Sequence, residues 1–134
     1  METTILDQSA DLLCITATSF PEGIQRAHEE LHARVPFSEN RKYFGISRPE
    51  NGTIVYRAAA EQLEPGEAEQ YQCEQLVLEK GNYISLTIHN YKKDLQRIAI
   101  AFEQLLSQKG IDPQGYCVEW YVNETDVTCM VRLA

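Results

Sequence analysis

Basic charge is scarce in this sequence. Lys and Arg total 12 against 20 Asp and Glu, a formal net charge of -8. Such a chain repels a phosphate backbone, which argues against direct nucleic-acid binding. No basic helix-turn-helix segment stands ahead of the rest. Long apolar runs are missing too. None approaches the roughly 18 residues that a membrane span requires, and Met1–Asp11 is polar and acidic, without a signal-peptide core. The cysteines are few and scattered (Cys14, Cys73, Cys117, Cys129), with no C-x-x-C pair. They read as free, mostly buried thiols in a reducing cytoplasm. There is no Gly-rich phosphate loop and no nucleophile elbow, and no cofactor is expected.

What is present is enough for one folded domain. The chain has 134 residues, 43% of them hydrophobic. After a polar tail (1–11), Leu12–Ser19 reads as a strand. Pro21 opens a helix with Ile24, Ala27, Leu31 and Val35 on one stripe, and Pro36 ends it. Tyr43–Ser47 and Thr53–Ala60 form a hairpin around Asn51-Gly52, a type I′ signal. A polar linker (61–70) follows. Cys73–Glu79 and Tyr83–His89 are strands on either side of Lys80-Gly81-Asn82. Lys92–Lys109 is a helix with Leu95, Ile98, Ala99, Phe102, Leu105 and Leu106 on one face, capped by Gly110. Each half (12–60 and 71–134) is thus β-α-β-β. The expected fold is α+β: two βαββ halves related by a pseudo-twofold axis, with an antiparallel sheet and two helices packed on one face.

The closing segment, Gly115–Ala134, reads as a hairpin turning at Asn123–Asp126, with Val122 opposite Val127. One face then carries Val118, Trp120, Val122, Val127, Cys129, Val131 and Leu133. It should bury against helices, Trp120 included. The other carries Cys117, Glu119, Tyr121, Thr128, Met130 and Arg132. A half-apolar face with one carboxylate at its centre suits a small-molecule pocket.

"GYCVEWYVNETDVTCMVRLA" and "KGNYISLTIHNY" resemble the closing hairpin and the Gly-x-Tyr strand of GyrI-like proteins, the effector-binding domain family of AraC- and MerR-type regulators. The resemblance covers about Leu12 to Leu133. Asn90-Tyr91 stands where that family often has Gly-Pro, and its common Trp after the second helix's Leu is missing. The resemblance implies a ligand held where the two halves meet, with the family's acid on the penultimate strand falling on Glu119.

His28-Glu29-Glu30-Leu31-His32 satisfies H-E-x-x-H, the helical spacing that holds zinc in metalloproteases. A catalytic zinc needs a third protein ligand, and the other histidine, His89, ends a distant strand. No metal site is therefore expected, and the pair reads as a flanking feature of an amphipathic helix.

The expected ligand-binding residues are Glu119, Tyr121, Tyr83, His89, Tyr56, Tyr43 and Met130. Tyr83 and His89 enter because Ile84, Leu86 and Ile88 take the core side of their strand, leaving Tyr83, Ser85, Thr87 and His89 to join the face of Glu119. Aromatic faces around a carboxylate suit an amphipathic molecule, cationic or aromatic. The competing reading of the same residues is a surface pair, Glu119–Arg132, worth little. Two further functions share the residues. Glu119 as general base with Tyr121 or Tyr83 as acid would make a small-molecule hydrolase. The acidic runs would suit a protein-interaction antagonist, although solvated faces explain them equally.

Overall fold

Asn51 and Gly52 both take left-handed backbone, with φ of 54° and 82°. They close the hairpin of β3 (Tyr43–Glu50) and β4 (Thr53–Glu61), as a type I′ turn requires. The computed structural model describes residues 1–134. The remaining elements are β1 (Glu2–Leu6), β2 (Ala10–Thr16), α1 (Ile24–Arg34), α2 (Glu67–Gln70), β5 (Glu74–Leu78), β6 (Gly81–Ile88), α3 (Gln96–Leu106), β7 (Cys117–Tyr121) and β8 (Val127–Arg132). All strands join one antiparallel sheet in the order β1-β6-β8-β7-β3-β4-β2-β5.

That order is symmetric about the β7–β3 seam. The β6-β8-β7 arrangement on one side mirrors β2-β4-β3 on the other, and each set carries its helix between the same strands. The expected βαββ halves and their pseudo-twofold relation are therefore present. Each half also has an extra leading strand, and the two are exchanged: β1 pairs with β6, and β5 pairs with β2. Glu2–Leu6, expected as a polar tail, is one of them. Its polar residues suit an edge strand.

The exchange forces the sheet to curl. β1 and β2 stand six positions apart in the sheet, about 29 Å if it were flat. The link from Leu6 to Ala10 spans at most about 15 Å. The same holds for β5 and β6. The two ends must therefore approach each other, giving a half-barrel. Its concave face holds one core, with Leu12, Phe44, Ile46, Leu78, Val118 and Met130. On the convex face α1 packs Ala27 and Leu31 over Leu13, Ala58 and Ala60. There α3 packs Ala101 and Leu105 over Ile88, Cys129 and Val131.

Two expectations fail on this face. The helix expected over 92–109 starts later, because Asp94 is extended (φ -155°) after a short 3-10 turn at Tyr91–Lys93. That turn begins at Asn90, left-handed at φ 54°. The helix then presents Ile98, Ala101, Phe102 and Leu105 to the sheet, leaving Leu95, Ala99 and Leu106 exposed. The second failure is the register of the last hairpin. Asn123 Oδ1 accepts bonds from the backbone N–H of Thr125 (2.8 Å) and Asp126 (2.9 Å), tying up a loop over residues 122–126. Tyr121, not Val122, therefore pairs with Val127, and Glu119 pairs with Cys129 rather than Met130. A one-residue slip exchanges every facing partner. Cys117, Glu119 and Tyr121 join the helix-covered face with Val127, Cys129 and Val131. Trp120 goes to the concave side beside Phe44, with Lys42 Nζ 5.4 Å from its ring, and no helix covers it. No helix is long and apolar enough to cross a membrane.

Candidate functional site

Gly45 of β3 pairs with Glu119 of β7 across the seam between the halves. A Cβ at Gly45 would stand 1.9 Å from the Tyr56 hydroxyl and 2.6 Å from Glu119 Oε1. Only glycine leaves this space, and a mid-strand glycine often marks such a close approach. Tyr56, from the neighbouring β4, lies across the gap and donates its hydroxyl to Glu119 Oε1 at 2.9 Å. Tyr121, two residues along β7, donates to the same oxygen at 2.5 Å. Each phenol spends its single proton on the carboxylate. The remaining contact, His28 Nε2 to the Tyr56 hydroxyl at 2.8 Å, must then have imidazole as donor. His28 thus carries its proton on Nε2. Its ring also meets Tyr121 edge-on at 5.5 Å, and Tyr91 packs against Tyr121 at 5.6 Å.

The electrostatics follow from burial. Glu119 makes no ion pair. Desolvation raises its pKa, and the bonds from Tyr121 and Tyr56 only partly oppose that. Both phenols are pushed upward, first by burial and then by the charge of Glu119, so they remain protonated donors. Burial, reinforced by His32, pushes His28 down to about 4, so the ring is neutral at pH 7. Cys117 and Cys129 share this face, and burial holds their thiols up at about 11 and about 12. They were expected on opposite faces; both are free.

In front of this cluster opens a cleft of about 1140 Å³ between α1 and the 3-10 turn and loop of the second half. Tyr121 and His28 line its inner end, with Tyr91 beside them; Glu119 lies one layer behind. Its outer end is lined by His32, Phe37 and Tyr43. The cleft stands at the junction of the halves, on the helix side of the sheet.

Of the expected binding residues, Glu119, Tyr121 and Tyr56 meet in one hydrogen-bonded cluster, and Tyr43 lines the same cleft. The other three lie elsewhere. Met130 and Tyr83 are buried in the concave core, where Tyr83 donates to the backbone carbonyl of Glu79 at 2.6 Å. His89 points to solvent, with 74% of its side chain exposed beside Asp126. Tyr83 and His89 were placed by assuming that their side of β6 joins Glu119, and Met130 by the expected register of the last hairpin; the slip sends Glu119 to the other side of the sheet. Arg132 follows Met130 and pairs with Asp112 at 3.2 Å, so the Glu119–Arg132 surface pair does not form.

The residues that were not foreseen are His28, Gly45 and Tyr91. His28 carried a signal, since it flanks the apolar stripe of α1 two turns from the helix end. Gly45 carried one as the lone glycine within a strand. No group of three His, Cys, Asp or Glu side chains gathers where a metal ion could be held, and His28 is committed to Tyr56. The run around Glu67, expected as solvated linker, contains a buried clamp. Arg41 holds both oxygens of Glu67 at 2.8 and 2.7 Å, and each side chain is 5% exposed.

No protein-family model matches the chain, and no curated protein matches it in sequence. Solved structures do match in shape. SAV2435, solved bound to tetraphenylphosphonium, superposes with a TM-score of 0.70 at 14% identity, over 98% of this chain and 94% of that one. An integron cassette protein from the mobile metagenome of Vibrio cholerae gives 0.66 at 10% identity, over 99% and 95%. A hydrolase from Listeria innocua gives 0.61 at 9% identity, over 99% and 90%. At these identities the likeness is one of fold: the chain shares its curled α+β half-barrel with proteins that have almost none of its sequence.

Proposed function

We propose that the cleft binds a small amphipathic organic cation, in an effector sensor of the transcription-regulator type or in a sequestering protein. One observation carries this reading: Glu119 is partly buried behind Tyr121 beneath an open cleft, takes two phenol hydrogen bonds and has no cationic partner in the protein. An unpaired buried carboxylate is costly unless something offsets it. A cation held against Tyr121, roughly 6 Å from the carboxylate, would gain about 3 kcal/mol at an effective dielectric constant of 20. The faces of Tyr121 and Tyr91 add cation–π attraction. SAV2435, which binds such a cation, shares the fold. The resemblance of the closing hairpin to GyrI-like domains points the same way.

The runner-up is a hydrolase on a reactive small molecule, with Glu119 as base and Tyr121 as acid. The structural neighbour from Listeria innocua bears on it. The position of Glu119 favours binding over turnover, because Tyr121 stands between the carboxylate and the cleft. The test is calorimetry of matched cationic and neutral aromatic ligands with the wild type and Glu119→Gln. Cations should lose about 1–3 kcal/mol in the variant, and neutral ligands much less. Equal losses for both sets would defeat the cation reading. Consumption of a reactive ligand by the wild type alone would establish the hydrolase.

A further inference from the structure

The outer end of the cleft has no part in the Glu119 cluster, yet it is built from aromatics. Tyr43 projects from the start of β3, on the same sheet side as Gly45. The ring of Phe37 lies parallel to it, 5.8 Å away with an interplanar angle of 3°. His32 approaches Tyr43 at 5.2 Å. Tyr43 is fixed there: its hydroxyl accepts a hydrogen bond from the Ser38 backbone N–H at 3.1 Å, anchoring the segment that carries Phe37. Phe37 itself is 72% exposed. A large aromatic stacked on Tyr43 at the rim of a cleft, with its outer face uncovered, offers a flat surface on which a second ring can stack.

The two histidines of the H-E-x-x-H run now have separate places. Their i, i+4 spacing sets both on the cleft side of α1. His28 reaches the inner end through Tyr56, and His32 reaches the outer end against Tyr43. The distance between the ends is considerable. About 9 Å of helix axis separates His28 from Arg34, and Phe37 lies beyond. The rim charge is also one-sided. Glu29, Glu39 and Glu124 line the cleft and join no ion pair, whereas Arg41 is committed to Glu67. Lys92 is the remaining lining cation, 6.0 Å above the ring of Tyr91.

We infer that the cleft is a two-ended site for elongated cations with two ring systems, one ring against Tyr121 and His28 and the other stacked on Phe37, with a second positive charge accommodated by the acidic rim. This rests on the reading of Glu119 as the cation-selecting group and adds the shape of the ligand.

The experiment uses a ligand and its half: two quinolinium rings joined by a decamethylene chain, against the single N-methylquinolinium. A chain-matched bis-trimethylammonium, which has two charges and no rings, separates stacking from charge. Affinities are measured by calorimetry for the wild type, Phe37→Ala and Glu119→Gln. Phe37 is exposed, so its replacement does not threaten the fold. The double-ring ligand should bind the wild type about tenfold or more tighter than its half and clearly tighter than the ringless dication. Phe37→Ala should lower the ratio of whole to half affinity about five- to tenfold. Glu119→Gln should weaken whole and half together. A whole-to-half ratio unmoved by Phe37→Ala, or a ringless dication as tight as the double-ring ligand, overturns the two-ended site alone. Affinities untouched by Glu119→Gln overturn the cation reading beneath it, and no binding of any probe by the wild type overturns both.

Discussion

Gly45 and Glu119 face each other across the seam between the two halves, and the missing Cβ of the first is what leaves room for the carboxylate of the second to meet the Tyr56 hydroxyl. The pair ties fold to site, because the seam lies on the pseudo-twofold relation itself. Gly45→Ala should therefore disturb the site before the fold. The new methyl must displace the Tyr56 hydroxyl, at an overpacking cost of about 1–3 kcal/mol. In a Tyr56→Phe background the obstructing hydroxyl is gone, and the same Gly45→Ala change should cost less. A double-mutant cycle by urea denaturation measures the difference. Equal costs in both backgrounds would show that the hydroxyl is not what the methyl meets.

Titration of the ligand-free protein should reveal two opposed groups. His28 is neutral in the fold down to about 4, against 6.5 unfolded. Its contribution is present above pH 6.5 and is lost as pH falls toward 4, about 3 kcal/mol in full. Glu119 has a raised pKa, so it acts in the opposite sense: its protonated form is favoured in the fold, and stability is lost as pH rises from 4.5 through the raised value. Glu119→Gln removes the second effect. The variant should be at least as stable as wild type at pH 7 and should lose stability more steeply on acidification from pH 6.5 to 4. Parallel stability curves for the two proteins would remove the coupling. Cation affinity should also fall as pH drops through the Glu119 transition in the wild type and stay flat in the variant.

Much of the fold was legible because it rests on local signals. Asn51-Gly52 announced its turn, the Ile24–Ala27–Leu31–Val35 stripe announced α1, and the repeated β-α-β-β order announced the halves. Three features were not legible, for separate reasons. The exchange of β1 and β5 is a long-range choice between similar edges, which no local pattern encodes. The curl follows from that exchange and turns a supposedly solvent- or ligand-facing side into a second core, which took Tyr83 and Met130 with it. The register of the last hairpin depends on Asn123 capturing two backbone N–H groups, and a shorter turn would have fitted the alternation equally well. The site survived the slip because alternation within β7 held: Glu119 and Tyr121 stay together, opposite Trp120. Tyr56 and Tyr43 belong to the same sheet face as Gly45, so with Tyr121 three of the four expected tyrosines converge there.

The buried clamp of Arg41 and Glu67 predicts a stability effect remote from the cleft's inner end. Glu67 also accepts the backbone N–H groups of Leu63 (2.7 Å) and Glu64 (3.2 Å), and Arg41 holds its carboxyl down at about 2. Glu67→Ala leaves a guanidinium buried without its partner and should cost about 3–5 kcal/mol. Replacing both residues together by Met and Leu should cost markedly less. Denaturation midpoints of the single and double variants decide this; a double variant as unstable as the single would show that the cost lies in the backbone bonds of Glu67 instead.

Trp120 offers a reporter because it is the single tryptophan and lies on the far side of the sheet from the cleft. It is partly exposed on the concave side, beneath Lys42 at 5.4 Å. Its neighbours on β7, Glu119 and Tyr121, point the other way. Acrylamide should therefore quench its emission in the folded protein, which a tryptophan under a helix would resist. A cation filling the cleft contacts Tyr121 and not Trp120, so the quenching constant should remain the same within about 20% at saturation, in keeping with the small backbone changes typical of preformed sites. Tyrosine signals should change instead, through the rings of Tyr121, Tyr91 and Tyr43. A quenching constant that collapses on ligand addition would place the ligand in the concave mouth beside Trp120 and Phe44, and the helix-side cleft would then not be its site.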